Sequence, residues 1–353
     1  MKQSPLHDVS CAVVRVIRRT LSASVLLALA AGIGLSPVQA QAPAQFTMKL
    51  STPTIGDITI EWMNAFKKGV ETRSNGRVKV EIYPASQLGP IPRTVEGVLL
   101  GTIEATFIAS GFLVGVDPRY QIFDAAGIFD SIPHGHQVMT DPEVQKRMAS
   151  FMNGKPAQVL TSWVHGPNVM GARKPVKSLA DLRGMKVRVA PTPMQIEPLK
   201  KFGVSAVPMP LNEVVPALQN GTIDGAIVSG TILTAFKYYD FAKTAFYPPS
   251  WAVVVGAIVN RNFMQSLPAD VRAIVEDEVR KADAVAAKWG QDDLTKSLKL
   301  WEQNGAANVY LSPAEQKRFL DEVVATQMPI INANAELKRD YEVFSAAARK
   351  YRK

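Results

Sequence analysis

One arginine stands out because of its place in the segment GMKVRVAPTPM, residues 184–194. Apolar residues alternate there with Lys186 and Arg188, which is the period of a strand with one apolar and one polar face. A guanidinium stays charged and matches a carboxylate with two parallel hydrogen bonds. Arg188 is therefore a candidate clamp for an anion, while a strand-edge arginine paired with a neighbouring Asp or Glu fits the same pattern. Lys186 lies further from the strand end, and we expect it to face solvent.

Polar residues also stand at the ends of other predicted strands, where ligands of open α/β sheets bind. Ser229 lies where a strand gives way to a helix, so it can cap that helix or help its N–H groups to hold an anion. Ser110 and Asn168 follow two further strands. We therefore predict that these three residues take part in one ligand site with Arg188.

Four aromatic residues lie at or near the same strand ends. Aromatic side chains there can wall a ligand pocket, and core packing fits each of them equally well when it is taken alone. The predicted aromatic wall consists of Phe112, Trp163, Phe236 and Trp251.

Two histidines, His134 and His136, have the i, i+2 spacing of some zinc sites. They lie at the start of a helical pattern and lack a third ligand nearby, so we expect no metal. The sequence contains no GxSxG elbow, HExxH helix or phosphate loop, and we expect no cofactor. A binding protein is therefore favoured, with an exported hydrolase or lyase that uses carboxylates as the alternative.

The first 40 residues have the pattern of a cleaved signal peptide. Arginines precede an apolar run over residues 21–35, and Val38-Gln39-Ala40 supplies the small residues of a cleavage site near Ala40. The run is shorter than the ~20 residues that cross a bilayer, which predicts export to the periplasm and release. Arg18-Arg19 leaves both the twin-arginine and the general export routes open.

The cysteine count and the net charge exclude several kinds of site and partner. Cys11 is the only cysteine and precedes the apolar run, so the mature chain can form no disulfide, thiolate metal site or cysteine nucleophile. The formal charge of +9 falls to +6 without the leader, which carries Lys2, three arginines and Asp8. A mild positive charge suits a protein that attracts anions. Since no basic run is interleaved with aromatics, we expect no nucleic-acid partner.

The rest of the chain must position these residues. Strand and helix patterns alternate from Phe46, and a similar cycle restarts near Lys177. This order predicts an α/β fold with mostly parallel sheets flanked by helices, in two lobes with a ligand cleft between them.

Several segments in this order resemble the extracytoplasmic solute receptors of tripartite ATP-independent periplasmic (TRAP) transporters, of the DctP type. The resemblance extends over nearly the whole mature chain. It is carried by GRVKVEIYPASQLG, EGVLLGTIEAT, KPVKSLADLRGMKVRVAPTPM and FGVSAVPMPLNEVVPALQNGTIDGAIVS.

The resemblance implies a two-lobed receptor that closes over a small organic anion and delivers it to a membrane permease driven by an ion gradient. It places the carboxylate on Arg188. It also implies lobe boundaries, with lobe I at 46–165 plus 255–293 and lobe II at 166–254 plus 294–345. A receptor for another permease or for a sensor is the alternative among binding proteins.

The chain also departs from the family pattern. Asn168 stands in place of a second arginine, Ala226-Ile227-Val228 replaces a Gln-Glu-Asn run, and a first-lobe acidic residue is replaced near Ala109. These departures predict a less polar pocket. We expect a monocarboxylate with an apolar or aromatic body, such as a 2-oxo or 2-hydroxy acid whose second oxygen meets Asn168 or Ser229. Sugar acids should be rejected, since unpaired buried polar groups cost ~1–3 kcal/mol each.

Overall fold

The computed structural model describes residues 44–352 of the chain. The predicted signal peptide, its cleavage site near Ala40 and Cys11 lie outside these residues. Within the described range, every helix is too short or too polar to cross a membrane.

Strands and helices alternate through most of the chain, as the sequence pattern predicts. The strands are β1 (Phe46–Ser51), β2 (Val78–Tyr83), β3 (Ala105–Ala109), β4 (Ala157–Ala172), β5 (Lys186–Val189), β6 (Ser205–Pro208), β7 (Gly225–Ser229), β8 (Thr244–Tyr247), β9 (Ala252–Asn260) and β10 (Ala307–Tyr310). The helices are α1 (Ile58–Arg73), α2 (Ile91–Leu100), α3 (Ile132–Met139), α4 (Pro142–Met148), α5 (Pro193–Lys201), α6 (Val214–Gln219), α7 (Gly230–Ala235), α8 (Arg261–Ser266), α9 (Ala269–Gln303), α10 (Pro313–Asn332) and α11 (Ala335–Tyr351).

The strands form two sheet regions that share β4. The first has the order β2-β1-β3-β9-β4, and the second continues as β4-β7-β5-β6, with β8 and β10 added beside β4. The β4 strand pairs with β9 as far as Pro167 and with β7 from Asn168 onward. The chain therefore passes from one sheet region to the other between these two residues.

Parallel pairing dominates the outer part of each sheet region, and this confirms the predicted α/β class. The β1 strand is parallel to β2 and β3, and β5 is parallel to β6 and β7. The centre differs from a simple parallel sheet, because β9 and β4 are antiparallel to their neighbours. The long strand β4 is the element that takes part in both sheet regions.

The first helix shows how the sequence sets an element that later positions the site. Asp57 caps α1 by accepting a hydrogen bond from the Ile60 N–H at 3.2 Å. Trp62, Phe66 and Val70 recur at helical spacing and are fully buried. The helix is thus fixed by its cap at one end and by its apolar stripe against the first sheet region and α9.

The sequence patterns missed two short strands and overextended one helix. The strands β8 and β10 escaped detection because each has only four residues and owes its pairing to distant partners. Residues 231–241, TILTAFKYYDF, have a helical sequence pattern over their whole length. Instead α7 ends at Ala235, because Lys237 adopts a left-handed conformation with φ of 53° that no α-helix tolerates.

The C-terminal helices pack on different parts of the molecule. The α9 helix contacts α1 and α7, α10 contacts α5, and α11 contacts α3, α4 and the short 3-10 segment at Pro118–Asp124. The lobe boundaries given above stay a prediction, since α9 and the central strands join both sheet regions.

Candidate functional site

A cavity lies beyond the carboxyl ends of β3, β5 and β7, against β4 and the start of β9. Its volume is about 60 Å³, counted as the space open to the centre of a water molecule, which suits a small molecule. Its polar lining residues are Thr52, Thr54, Thr59, Ser110, Asp124, His165, Asn168, Arg188, Gln195 and Ser229. Its apolar lining includes Ile91, Phe107, Ile108, Phe112, Leu211, Ile227, Val228, Ile232, Val253, Val254 and Val255.

Arg188 lies on this cavity and is only 4% exposed. Its Nε donates to the Met209 carbonyl and its Nη1 to the Ile227 carbonyl, each at 2.9 Å. Its Cζ lies 5.9 Å from the centroid of the Phe112 ring. Burial lowers the pKa of Arg188 to about 10, so the group is charged at neutral pH.

The guanidinium has no acidic partner in the part of the chain that the structure describes, since no carboxylate lies within 4.0 Å of it. The alternative that Arg188 pairs with a neighbouring Asp or Glu therefore does not hold for residues 44–352. A buried charge is costly unless it is compensated. The arrangement is suited to receive an anion from outside the protein.

Asn168 and Ser229 lie side by side, because they are register partners between β4 and β7. The Asn168 Nδ2 donates to the Ala252 carbonyl at 3.1 Å, which leaves its Oδ1 without a partner. Ser229 Oγ lies 3.1 Å from Thr231 Oγ1 and makes no side-chain capping bond to α7. Of the two alternatives for Ser229, the side-chain cap is therefore absent, and the residue lies on the cavity.

Ser110 also lines the cavity, at the start of the 3-10 segment Ser110–Leu113 that follows β3. It is buried, so its hydroxyl can act only within the cavity or on neighbouring protein atoms. All four polar residues predicted at strand ends thus meet at one place.

The predicted aromatic wall is largely not formed. Phe112 lines the cavity, whereas Trp163, Phe236 and Trp251 do not. Trp163 stacks on Trp62 with ring centroids 5.7 Å apart, in the core between α1 and the first sheet region. Strand residues alternate between the faces of a sheet, and position along a strand alone did not tell which face is the core.

Asp124 lies on the cavity and was not identified from the sequence. Its Oδ1 accepts a hydrogen bond from Gln195 Nε2 at 2.8 Å, and its Oδ2 has no partner. Its carbonyl accepts from Trp251 Nε1 at 2.8 Å and from Gln327 Nε2 at 3.0 Å. Trp251 therefore positions a cavity residue rather than lining the cavity. An acid inside the apolar segment 122–129 was the signal that could have found Asp124.

Burial raises the pKa of Asp124 to about 7, and the neighbouring side chains of Gln195 and then Thr192 oppose this only in part. An Asp paired with an arginine would have its pKa lowered instead. The carboxyl group is therefore protonated for part of the time at neutral pH and can donate as well as accept.

His165 is a second cavity residue that the sequence did not mark. Its Nε2 lies 2.9 Å from Asp57 Oδ2, and both side chains are buried. Asp57 Oδ1 accepts from Thr54 Oγ1 at 3.0 Å as well as from the α1 backbone. Since Nε2 faces a carboxylate it carries the proton, and Nδ1 is left without a partner.

Four residues that line the cavity each carry a buried polar atom without a partner among the described residues, and we call these residues the unpaired polar cluster. The atoms are Thr59 Oγ1, Asp124 Oδ2, His165 Nδ1 and Asn168 Oδ1. Each unpaired buried group costs ~1–3 kcal/mol, so their concentration at one cavity indicates that the ligand brings polar groups to this part of it. The cavity is more polar than the sequence predicts, because Thr59 and Asp124 reach it from segments distant in the chain.

The remaining sequence candidates lie elsewhere. His134 is in α3, where its Nδ1 accepts from the Asp130 N–H and its Nε2 lies 3.0 Å from the Ala348 carbonyl. Within residues 44–352, no group of three or more His, Cys, Asp or Glu side chains could hold a metal ion. Lys186 is exposed, as predicted from its position on β5.

Comparison with known proteins assigns the chain to a family. Residues 51–327 match the family DctP, described as bacterial extracellular solute-binding protein, family 7. The chain is 26% identical over 257 residues to the 2,3-diketo-L-gulonate-binding periplasmic protein YiaO of Escherichia coli, covering 72% of this chain and 77% of that protein. It is 28% identical over 261 residues to the C4-dicarboxylate-binding periplasmic protein DctP of Rhodobacter capsulatus, covering 73% and 78%.

The fold agrees with a solved receptor. A TRAP periplasmic solute-binding protein from Desulfovibrio salexigens with bound orotic acid superposes with a TM-score of 0.82 at 22% identity, covering 87% of this chain and 99% of that chain. The family match covers most of the chain and coincides with the sheet regions that build the cavity. The chain therefore belongs to family 7 of the bacterial extracellular solute-binding proteins, and it is a periplasmic TRAP solute receptor for small organic acids rather than an enzyme.

Proposed function

We propose that this receptor captures a small monocarboxylate with an apolar body and delivers it to its TRAP permease. The observation that carries the proposal is the Arg188 guanidinium, which is buried on the cavity with no carboxylate partner among residues 44–352. Two backbone carbonyls fix its orientation, and its remaining N–H groups can hold a ligand carboxylate. Because the clamp is fixed before binding, little conformational entropy is lost when the ligand arrives.

The walls support an apolar ligand body. Ile227 and Val228 lie on β7, the strand next to that of Arg188, and they line the cavity. Phe112 and Val254 line the same cavity. The second oxygen of the ligand, on the carbon next to the carboxylate, is proposed to meet Asn168 or Ser229. A 2-oxo acid and a 2-hydroxy acid both satisfy this description.

Ligand capture is proposed to involve closure of the two lobes, with lobe I at 46–165 plus 255–293 and lobe II at 166–254 plus 294–345. The β4 strand changes partners between Pro167 and Asn168, so a change of backbone angle there would move the two sheet regions relative to each other. Export to the periplasm with cleavage near Ala40 is part of the same proposal, and N-terminal mass spectrometry of the secreted protein tests the cleavage site.

A thermal-shift panel at pH 7, followed by calorimetric titration, tests the proposed function. Apolar monocarboxylates such as mandelate and 2-hydroxy-3-methylbutanoate should raise Tm, since a ligand at 100 times its Kd adds about 2.7 kcal/mol of stability. Mandelamide, which lacks the charge, is the matched control and should give no shift. Strong shifts with sialic or uronic acids and none with apolar acids would contradict the proposal.

A further inference from the structure

The side chain of Asn168 narrows the class of ligand further, and this inference rests on the proposed function. We propose that the cavity selects carboxylates with a hydroxyl group on the carbon next to the carboxylate, and that this hydroxyl donates a hydrogen bond to Asn168 Oδ1. The 2-oxo acids, left open above, are then poor ligands.

The side-chain amide of Asn168 has a defined orientation. Its Nδ2 donates to the Ala252 carbonyl at 3.1 Å, so the atom that faces the cavity is the oxygen. A carbonyl oxygen can only accept a hydrogen bond. A 2-oxo group is also only an acceptor, and placing it there sets two lone pairs against each other. A hydroxyl group supplies the hydrogen-bond donor that Asn168 Oδ1 lacks.

Strand register places Asn168 near the backbone carbonyl that orients the clamp. Asn168 is the register partner of Ser229 on β7, and Arg188 Nη1 donates to the carbonyl of Ile227 on the same strand. Two residues along a strand span about 7 Å. A carboxylate on the guanidinium, the adjoining carbon and a hydroxyl on that carbon can bridge this span.

The hydroxyl oxygen needs a donor as well, and Thr59 can provide one. Thr59 lines the cavity and is 1% exposed. Its Oγ1 has no hydrogen-bond partner among the described residues. A hydroxyl that donates to Asn168 and accepts from Thr59 would satisfy two of the four unpaired atoms. An acid without the hydroxyl leaves both buried and unsatisfied, and this produces the discrimination.

A 2-amino acid is the competing ligand, because its ammonium group also donates. The charged and titratable groups that face the cavity are Arg188, Asp124 and the His165–Asp57 pair. An ammonium group beside the carboxylate would lie close to the Arg188 guanidinium, which the described residues leave without an anionic partner. Like charges repel strongly in a buried site, and the hydroxyl is favoured for this reason.

Calorimetric titration of the full-length mature protein with matched acids tests the inference. One set is mandelate, phenylglyoxylate, phenylacetate and phenylglycine, and the other is 2-hydroxy-3-methylbutanoate, 2-oxo-3-methylbutanoate, 3-methylbutanoate and valine. In the set that binds, the hydroxy acid should bind about 10- to 100-fold more tightly than the other three. Equal affinity for the oxo and hydroxy acids, or tighter binding of the amino acid, would overturn the inference.

Two variants assign the discrimination to its residues. Asn168→Leu should reduce the preference for the hydroxy over the deoxy acid to about threefold or less. Thr59→Val, which keeps side-chain shape, should weaken hydroxy-acid binding about three- to tenfold more than deoxy-acid binding. If Asn168→Leu fails to fold, Thr59→Val still decides, since equal losses for both acids contradict the inference.

The outcomes separate this inference from the proposed function. If deoxy, oxo and hydroxy acids bind equally and Arg188→Met abolishes binding of all three, the carboxylate receptor stands and the hydroxyl selection is wrong. If no acid in either set binds, both the proposed function and the inference fail.

Discussion

Two arginines of this molecule differ in how their charge is compensated. Arg119 donates from Nε and Nη2 to the two carboxylate oxygens of Asp340, at 2.7 and 2.8 Å, and from Nη1 to Ser150 Oγ at 2.8 Å. Arg188 donates to two backbone carbonyls and has no carboxylate within 4.0 Å in the described part of the chain. Both also lie near a phenylalanine ring.

The difference shows what each arginine is for. The Arg119–Asp340 pair ties the segment Pro118–Asp124 to α11, and its charges are complete within the protein. Arg188 is more deeply buried yet incomplete, so the favourable partner must come with the ligand. The uncompensated charge of Arg188 lowers the stability of the ligand-free protein and strengthens ligand binding, a combination that is common at binding sites.

The largest effect is expected from replacing Arg188 by Met, which keeps the length and removes the charge. Carboxylate affinity should fall at least about 100-fold, because the partner charge would be buried alone. Tm of the ligand-free protein should stay equal or rise, since an uncompensated buried charge is lost. Calorimetric titration and a thermal melt measure the two effects. A clear fall in Tm with unchanged affinity would mean that Arg188 is structural, like Arg119.

The opposite result is expected for Asp340→Asn. This change leaves Arg119 and Arg147 without their shared carboxylate, and the free energy of unfolding should drop by about 3–5 kcal/mol. Carboxylate affinity, measured at a temperature where the variant is folded, should change less than about threefold. Urea denaturation gives the stability. An undiminished free energy of unfolding would remove the contrast between the two arginines.

Asp124 provides a smaller test, because it is a cavity carboxyl group that does not pair with Arg188. Burial raises its pKa to about 7, above its ordinary value of 3.8, so the folded protein holds this proton more tightly than the unfolded chain. The stability from this group is present below pH 4 and is lost as the pH rises towards 7. Asp124→Asn should therefore raise the Tm of the ligand-free protein by on the order of 5 °C at pH 8 and by far less at pH 5.

The sign of that pH effect separates two arrangements. A Tm difference between Asp124→Asn and wild type that grows with pH supports a lone, buried carboxyl group. A variant that is destabilised most at pH 8 would indicate an ion pair with Arg188, which would depress the pKa of Asp124.

The smallest effect is expected at Lys186, two residues before Arg188 on the same strand. Its side chain is exposed, so Lys186→Gln should leave Tm within about 1 °C and carboxylate affinity within about twofold. The variant is the matched control for Arg188→Met. A loss of affinity comparable to that of the Arg188 variant would show that general positive charge, and not the buried clamp, attracts the ligand.

Local pattern was enough to predict the class of the fold and the polar residues at strand ends. Arg188 followed from alternation within one strand, and Ser110, Asn168 and Ser229 followed from the rule that ligands bind beyond strand ends. These residues meet because the strands that carry them are neighbours in one sheet arrangement.

Residues that reach the cavity from other segments were beyond sequence patterns. Thr59 arrives on the first turn of α1, and Asp124 is held by Trp251, Gln195 and Gln327, which are between 71 and 203 residues away in the chain. Trp163 was predicted to line the cavity from its place near a strand end, but its side chain packs in the core. Which buried polar atoms lack a partner depends on contacts between distant segments, and no local pattern encodes this.

A crystal structure of the protein with a bound 2-hydroxy carboxylate tests the central claim most directly. We predict both carboxylate oxygens within about 3 Å of the free N–H groups of Arg188, with the Arg119–Asp340 pair unchanged. A carboxylate held elsewhere, with Arg188 still bonded only to the Met209 and Ile227 carbonyls, would contradict the claim that this arginine is kept unpaired for the ligand.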